Sequence, residues 1–267
     1  MTGVQTCALP ICESELVWDS DWNPEGGVFD YNFKMDNLDF TLIGSGLWID
    51  EDSKKKDVSL FAGQGVVKLH FNEKNSSVAF GGSYFKYNYI KGHKALYEVD
   101  DAKGNSASTI YDTTFYVTIS DDTAIGDIGS YETYQNDYEL VELFVELNHK
   151  FDEIPVTAMF DYINNSGADS LNTGWLAGIH VGNAKKPGSW AFRYIYRNLE
   201  KDAVLGAFTD SDFRGGGTNA KGHEIGGTYQ VMKNAAFSIS YFINEINIDQ
   251  DVTEDFQRMQ IDLQLKF

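Results

Sequence analysis

The stretch "DSDFRGGGTNAKG" at residues 210–222 contains the residue types of an ion-binding loop. Asp210 and Asp212 stand at alternate positions before a run of glycines, which is how carboxylate ligands precede the turn of a calcium loop. The stretch lacks the remaining acidic positions and the closing Glu of an EF-hand, and "GGGTNAKG" does not match a phosphate loop. We therefore favour a glycine-rich surface loop and predict no bound metal or cofactor.

The five histidines form no recognisable metal or catalytic motif. They are widely spaced and show no HExxH pattern. The five are His70, His93, His149, His180 and His223. A barrel hydrolase would need a Ser/His/acid or Asp/His group at its loop ends, and His223 could form one with Asp210 or Asp212. Nothing in the sequence shows that His223 contacts either aspartate, so we predict that the protein is not an enzyme.

Charged side chains at alternate positions of apolar stretches give a stronger signal. In residues 138–151, Glu142 and Glu146 alternate with Val and Leu, and in residues 189–199 arginines alternate with aromatic residues. A period of two places each set on one face of a β-strand. A lipid-facing Arg or Lys would cost roughly 2–4 kcal/mol at the bilayer midplane, so the charged face must meet water. The candidate residues of a pore wall are Glu142, Glu146, Asp161, His180, Arg193, Arg197, Glu224, Arg258, Asp262 and Lys266.

The composition excludes several classes of partner. The 267 residues include 21 basic and 40 acidic side chains, which gives a formal charge of −19. This balance argues against nucleic acid and against anionic membrane surfaces, because phosphate groups bind to basic faces. No stretch approaches the roughly 18 apolar residues of a transmembrane helix, so a membrane protein with this sequence must cross with strands.

The amino-terminal stretch differs from the rest of the chain. "MTGVQTCALPI" resembles the conceptual translation of a sequencing adapter, so we predict that residues 1–12 are a non-native artefact and that 13–267 form one domain. The only cysteines, Cys7 and Cys12, lie in this stretch. A disulfide and a lipoprotein lipobox are the alternatives for this cysteine pair.

Eleven strand-like segments of about 7 to 14 residues follow, a length that suits the crossing of an outer membrane. They are 28–34, 38–50, 58–71, 77–90, 138–151, 155–164, 173–182, 189–199, 222–232, 235–245 and 256–267. Short turns and long polar loops alternate between them, as in up-and-down transmembrane barrels with short periplasmic turns. The alternative, a soluble barrel or sandwich with one solvated face, gives no reason for this alternation. We predict an all-β, antiparallel, up-and-down transmembrane β-barrel that is truncated at its amino terminus.

The chain ends on "RMQIDLQLKF", in which every second residue from Met259 to Phe267 is apolar. A terminal strand that ends on an aromatic residue resembles the signal by which the barrel-assembly machinery recognises outer-membrane proteins. We therefore predict that Phe267 is an assembly signal, and that lipid covers the apolar face of this strand.

Three stretches, at residues 16–27, 191–231 and 258–267, resemble a bacterial putative-porin family of outer-membrane barrels. The resemblance implies about sixteen strands in the intact protein and a location in the outer membrane of a Gram-negative bacterium. It also implies passive diffusion of small hydrophilic solutes and ions. Outer-membrane lipid, lipopolysaccharide and a homotrimeric assembly are the partners expected for such a protein. The alternative is a structural or adhesive outer-membrane barrel with a closed lumen.

The long segment 91–137 is the candidate constriction. From Gly104 to Asp137 it carries six acidic residues and no Lys or Arg. Fixed negative charge at a narrow mouth concentrates cations, so we predict a cation-preferring pore. The candidates in this segment are Asp112, Asp121, Asp122 and Asp127. Two alternatives remain: the segment caps the barrel from outside, or the wall arginines face Glu142, Glu146 and Asp161 and weaken the selectivity.

Overall fold

The structure is a computed structural model, and its description covers residues 15–19, 22, 24–51, 56–120 and 123–266. For residues 74, 112–120 and 123–128 only the backbone is described. This part of the chain contains thirteen β-strands and two single-turn 3-10 helices, Asn72–Lys74 and Gly206–Phe208. Within the same residues, no helix has the length and apolar character needed to span a membrane.

The strands occupy most of the described chain. In chain order they are β1 Glu25–Met35, β2 Leu38–Asp50, β3 Val58–Phe71, β4 Ser76–Asn88, β5 Ala107–Ser120, β6 Thr123–Tyr134, β7 Glu139–Phe151, β8 Ile154–Asn165, β9 Thr173–Gly182, β10 Trp190–Leu199, β11 Ala220–Met232, β12 Ala235–Ile246 and β13 Glu254–Leu265.

Eleven strands form one antiparallel sheet in the order β1-β2-β3-β4-β7-β8-β9-β10-β11-β12-β13. They match the eleven segments predicted from sequence, and β2, β3 and β9 have the predicted bounds. The all-β, antiparallel prediction is therefore confirmed. Among the described strands, β1 and β13 each have a single hydrogen-bonded neighbour, so the sheet is not closed here. The strand number of sixteen and the truncation stay predictions.

The two faces of the sheet differ in polarity because side chains alternate along each strand. On β13 the apolar residues Met259, Ile261, Leu263 and Leu265 are all more than half exposed, while the polar residues between them lie on the other face. The same apolar face continues across the sheet, with Leu143 and Leu147 of β7 exposed to a similar degree. We call this the outer face.

The opposite face is concave. One cluster of buried apolar residues joins β2 at Leu47, β4 at Phe85 and β10 at Leu199, which is possible only if the sheet curves around a shared interior. The cluster lies at the end of the sheet that carries the long loops. Three non-strand segments also enter it: residues 16–18, 90–102 and 203–208.

Two loops differ from their sequence-based descriptions. The segment 91–137 divides into a part that packs in the interior, with Leu96 and Ala102 buried, and the separate two-stranded hairpin β5–β6. The glycine-rich stretch 210–222 was predicted to be a surface loop, and that prediction is wrong for much of it. Phe213 and residues 217–220 are buried, because the loop between β10 and β11 folds back over the concave face.

Candidate channel interior

A row of polar side chains crosses the concave face on three neighbouring strands. Gln64, Ser83 and Glu142 are paired in register across β3, β4 and β7. Gln64 Nε2 donates a hydrogen bond to Ser83 Oγ at 3.0 Å, and Ser83 Oγ donates one to Glu142 Oε2 at 2.5 Å. Glu142 is fully buried, so these bonds hold a carboxylate that water does not reach.

Arg193 on β10 lies between two carboxylates. Its guanidinium contacts Glu224 of β11 through two nitrogens, at 2.9 and 3.0 Å. Nη2 also donates a hydrogen bond to Glu15 Oε2 at 2.6 Å. Glu15 precedes the first strand and is 178 residues away in sequence. The contact therefore brings the amino-terminal part of the described chain onto the concave face.

Arg197 lies two steps further along the same face of β10, beyond Ile195, and is almost fully buried. Its Nη2 lies 3.4 Å from Asp210 Oδ2 and 4.0 Å from Glu15 Oε2. The guanidinium stacks over the ring of Phe213, 4.6 Å from the ring centre. A buried guanidinium needs such partners, because an isolated buried charge is very costly.

Arg258 on β13 is held by the same loop. Its Nη2 pairs with Asp212 Oδ1 at 3.0 Å, and its Nη1 donates a hydrogen bond to the carbonyl oxygen of Ser211 at 3.2 Å. The backbone nitrogen of Ser211 in turn donates to Asp19 Oδ2 at 2.9 Å. We call these three arginines, with the carboxylates of Glu15, Asp19, Asp210, Asp212 and Glu224, the arginine cluster.

The residues Glu15–Asp19 and Trp22, which we call the inner segment, are also held by aromatic packing. The indole rings of Trp18 and Trp22 stack with their centres 4.5 Å apart. Phe85 and Phe208 contact the Trp18 ring at 5.7 and 5.9 Å. The backbone nitrogen of Asp19 donates to the carbonyl oxygen of Phe208 at 2.7 Å. The inner segment thus lies between the wall and the loop that carries Phe208.

Asp202 joins the loops at the long-loop end. It is buried, and its carboxylate accepts hydrogen bonds from Ser106 N and Oγ, Asn136 Nδ2 and Tyr138 OH, at 2.6 to 3.0 Å. Burial raises the pKa of the Tyr138 hydroxyl well above its ordinary value, and the charge of Asp202 raises that pKa further. The hydroxyl therefore stays protonated and keeps donating to Asp202 at neutral pH.

The other predicted wall residues lie outside the arginine cluster, and all of them except Lys266 are on strands at the concave face. Glu146 is 4.0 Å from Lys68 Nζ on β3. Asp161 is buried on β8, and His180 stands opposite Arg193 in the pairing of β9 with β10. Asp262 pairs in register with Ser238. Lys266 is exposed beyond the end of β13, and its backbone nitrogen donates to the carbonyl oxygen of Asn234 at 2.9 Å.

Several chemical hypotheses from the sequence fail on this geometry. Asp210 and Asp212 contact arginines, and in the described part of the chain no three His, Cys, Asp or Glu side chains are grouped to hold a metal ion. His223 lies on the outer face, where its Nδ1 is 2.8 Å from the hydroxyl oxygen of Tyr194. The sheet therefore separates His223 from both aspartates, and the proposed His/Asp meeting does not occur.

The wall arginines also have partners other than those considered from sequence. The sequence allowed them to face Glu142, Glu146 and Asp161, whereas the described contacts join Arg193, Arg197 and Arg258 to the acids of the arginine cluster.

The constriction candidates and the assembly signal lie largely outside the description. Asp121, Asp122 and Phe267 are not among the described residues. Asp112 and Asp127 are described by backbone alone, on β5 and β6. No contact of these five side chains can therefore be assigned, and their predicted roles stay predictions.

Sequence reasoning missed the inner segment and Asp202. Glu15, Trp18 and Asp19 belong to no strand, so they carry no alternating pattern that would place them on a face. The available signal was the compact apolar group Leu16, Val17 and Trp18 between acidic residues, which is more apolar than an exposed loop requires.

A curved antiparallel sheet with an apolar outer face and a charged inner face is characteristic of membrane β-barrels that enclose a polar lumen. The chain belongs to the family described as "putative porin", whose model matches residues 6–267. This family indicates an outer-membrane channel. No curated protein sequence matches the chain.

Proposed function

We propose that the protein forms a water-filled channel through the outer membrane, by which small hydrophilic solutes and ions diffuse passively. The observation that carries this proposal is the separation of the two faces of one sheet. The outer face presents Leu143, Ile261 and Leu263, and the concave face presents Arg193, Glu146 and Asp262. Lipid suits the first face and water suits the second.

We further propose that the channel prefers cations. The arginine cluster contains five carboxylates and three guanidiniums, so its acidic side chains outnumber its basic ones. On β7 and β8 the concave face carries three further acids, Glu142, Glu146 and Asp161, and Glu146 lies 4.0 Å from Lys68 Nζ. Fixed negative charge in a narrow aqueous passage concentrates cations and repels anions.

Liposome swelling tests the passage of solutes. The full-length protein is reconstituted into vesicles, and swelling rates are measured in uncharged sugars of increasing size. We expect rates that fall steadily with solute size, because passage through a water-filled pore is limited by fit rather than by binding. Vesicles with protein that swell no faster than empty vesicles would contradict the proposal.

The reversal potential tests the charge preference. In a gradient of potassium chloride, a cation-preferring channel shifts the potential toward the equilibrium value of potassium. Preference for chloride at neutral pH would refute this part of the proposal and leave the diffusion of neutral solutes untouched. High salt screens exposed charges, so selectivity that persists there would come from acids inside the narrow part of the passage.

A structural barrel with a closed lumen is the second candidate, and one observation favours it. At the long-loop end, Leu16, Trp18, Phe85 and Phe208 pack into a continuous apolar core. A lumen filled in this way excludes water. The same swelling experiment separates the two candidates, since a permanently closed barrel admits no solute of any size.

A further inference from the structure

We propose that the inner segment is a displaceable gate. It lies on the concave face of the sheet in the closed state, and the passage opens when the segment moves away from this face. This inference rests on the proposed channel function and assigns control of that channel to Glu15–Asp19 and Trp22. In the closed state, Glu15 holds one end of the segment through an ion pair with Arg193, and the stacked rings of Trp18 and Trp22 hold the other end.

The inner segment fills space that strands leave open. Leu16, Val17 and Trp18 are at most 5% exposed, although none of them belongs to a strand. They pack in the same cluster as Leu47 of β2 and Leu199 of β10. A short peptide that touches residues from well-separated strands lies across the interior of the curved sheet and obstructs it.

The described backbone of the inner segment is attached differently from that of a strand. Its backbone joins no strand ladder, and a described backbone bond to the loop runs from Asp19 N to Phe208 O. In the ion pair, both Glu15 and Arg193 retain about a third of their side-chain exposure. Partly exposed ion pairs contribute little, so this attachment can open while the β-ladders stay intact.

Displacement of the segment changes the charge of the interior as well as its width. The inner segment supplies Glu15 and Asp19, two of the five carboxylates of the arginine cluster. When it leaves, three arginines and three carboxylates remain on the wall and the adjoining loop. The open state should therefore conduct better and prefer cations less, and these two changes should occur together.

Cysteine labelling measures the displacement without relying on current. In the 267-residue chain, with Cys7 and Cys12 replaced by Ser, the Leu16→Cys variant is reacted with a water-soluble maleimide in lipid vesicles. We expect slow labelling in this parent. Adding Trp18→Ala should speed labelling about tenfold, since buried aromatic contacts are lost. Adding Arg193→Gln should speed labelling only about twofold, since the partly exposed ion pair that it removes contributes little.

Two control variants make the same kinds of substitution at residues that have no described contact with the inner segment. Lys68→Gln neutralises an inner-face base that pairs with Glu146, and Trp190→Ala removes an exposed tryptophan at the start of β10. Both should label at the rate of the parent. Equal labelling of all five proteins would overturn the gate, because the segment would then be a fixed part of the wall.

Single-channel recordings of the same proteins complete the test. Arg193→Gln and Trp18→Ala should each increase the time spent at the larger conductance, and the larger level should show the weaker cation preference. Faster labelling with unchanged conductance and reversal potential would overturn the gate, since a segment that moves without effect obstructs nothing. If neither the parent nor any variant carries current, the channel function itself fails, and the labelling still reports whether the segment moves.

Discussion

At the scale of single residues, buried polar side chains fasten the loops to one another. Asp202 accepts four hydrogen bonds from three residues. Asn165 connects the same loops, since its Nδ2 donates to the carbonyl oxygens of Asp137 at 3.1 Å and Asp202 at 2.9 Å. Each of these groups would be costly to bury alone, and together they are satisfied.

Replacing Asp202 with Ala should destabilise the long-loop end by about 3 kcal/mol, because the donors of Ser106, Asn136 and Tyr138 would stay buried without their acceptor. The measurement is denaturant unfolding of the refolded protein in detergent. The control is Asp169→Ala, since Asp169 is exposed in a neighbouring loop and should change stability by less than about 0.5 kcal/mol. Equal unfolding midpoints for the two variants would contradict the role of Asp202.

At the scale of elements, strands were predictable from sequence and the interior segments were not. The eleven strands of the sheet follow the two-residue alternation of polarity, which is a local property of each strand. By contrast, the position of Glu15 depends on Arg193, 178 residues away, and the burial of Phe213 depends on Arg197. Neither pairing leaves a periodic pattern in the chain. Because no local pattern reveals these contacts, the glycines at 215–217 indicate a surface loop when the sequence is considered alone.

The hairpin β5–β6 yields a prediction about the constriction. Among the described strands, β5 and β6 lie beside each other and beside no other strand, while residues 90–102 contribute to the interior core. Replacing residues 112–128 with a short turn should therefore leave the single-channel conductance unchanged. The comparison is replacement of Leu96 with Asn, which should loosen the interior packing. A rise in conductance on loss of the hairpin would place the constriction there, as the sequence suggested.

The terminal strand yields a prediction about assembly. The outer face of β13 is apolar up to Leu265, and Phe267 continues that alternation in the sequence. Phe267→Ser should reduce the amount of assembled protein in cells much more than it reduces strand content after refolding in detergent. The reason is that the assembly machinery must recognise the terminal strand in cells, whereas refolding in detergent needs no such recognition. Gln264→Ser, on the other face, is the matched control. Equal assembly of Phe267→Ser and the parent would remove the proposed signal.

At the scale of the whole molecule, the functional site is the charged concave face of the sheet and not a small group of catalytic residues. The sequence identified which residues share the charged face of each strand, for example Arg193 with Arg197 on β10. It did not identify what fills the space above them, because loops from distant parts of the chain supply the inner segment and the carboxylates of Asp210 and Asp212. Strand periodicity therefore predicts the wall of the sheet, whereas contacts between distant parts of the chain define what fills the interior.

Single-channel conductance of the full-length protein in a planar bilayer tests the central claim most directly. A water-filled passage should give discrete current steps whose size grows in proportion to the concentration of potassium chloride, because the ions cross in bulk-like solution. Boiling the sample before reconstitution should abolish the steps, which controls for contaminating pores that survive heat. Such steps are expected at neutral pH. Correctly folded protein that inserts into the bilayer and passes no current at any salt concentration or voltage would contradict it.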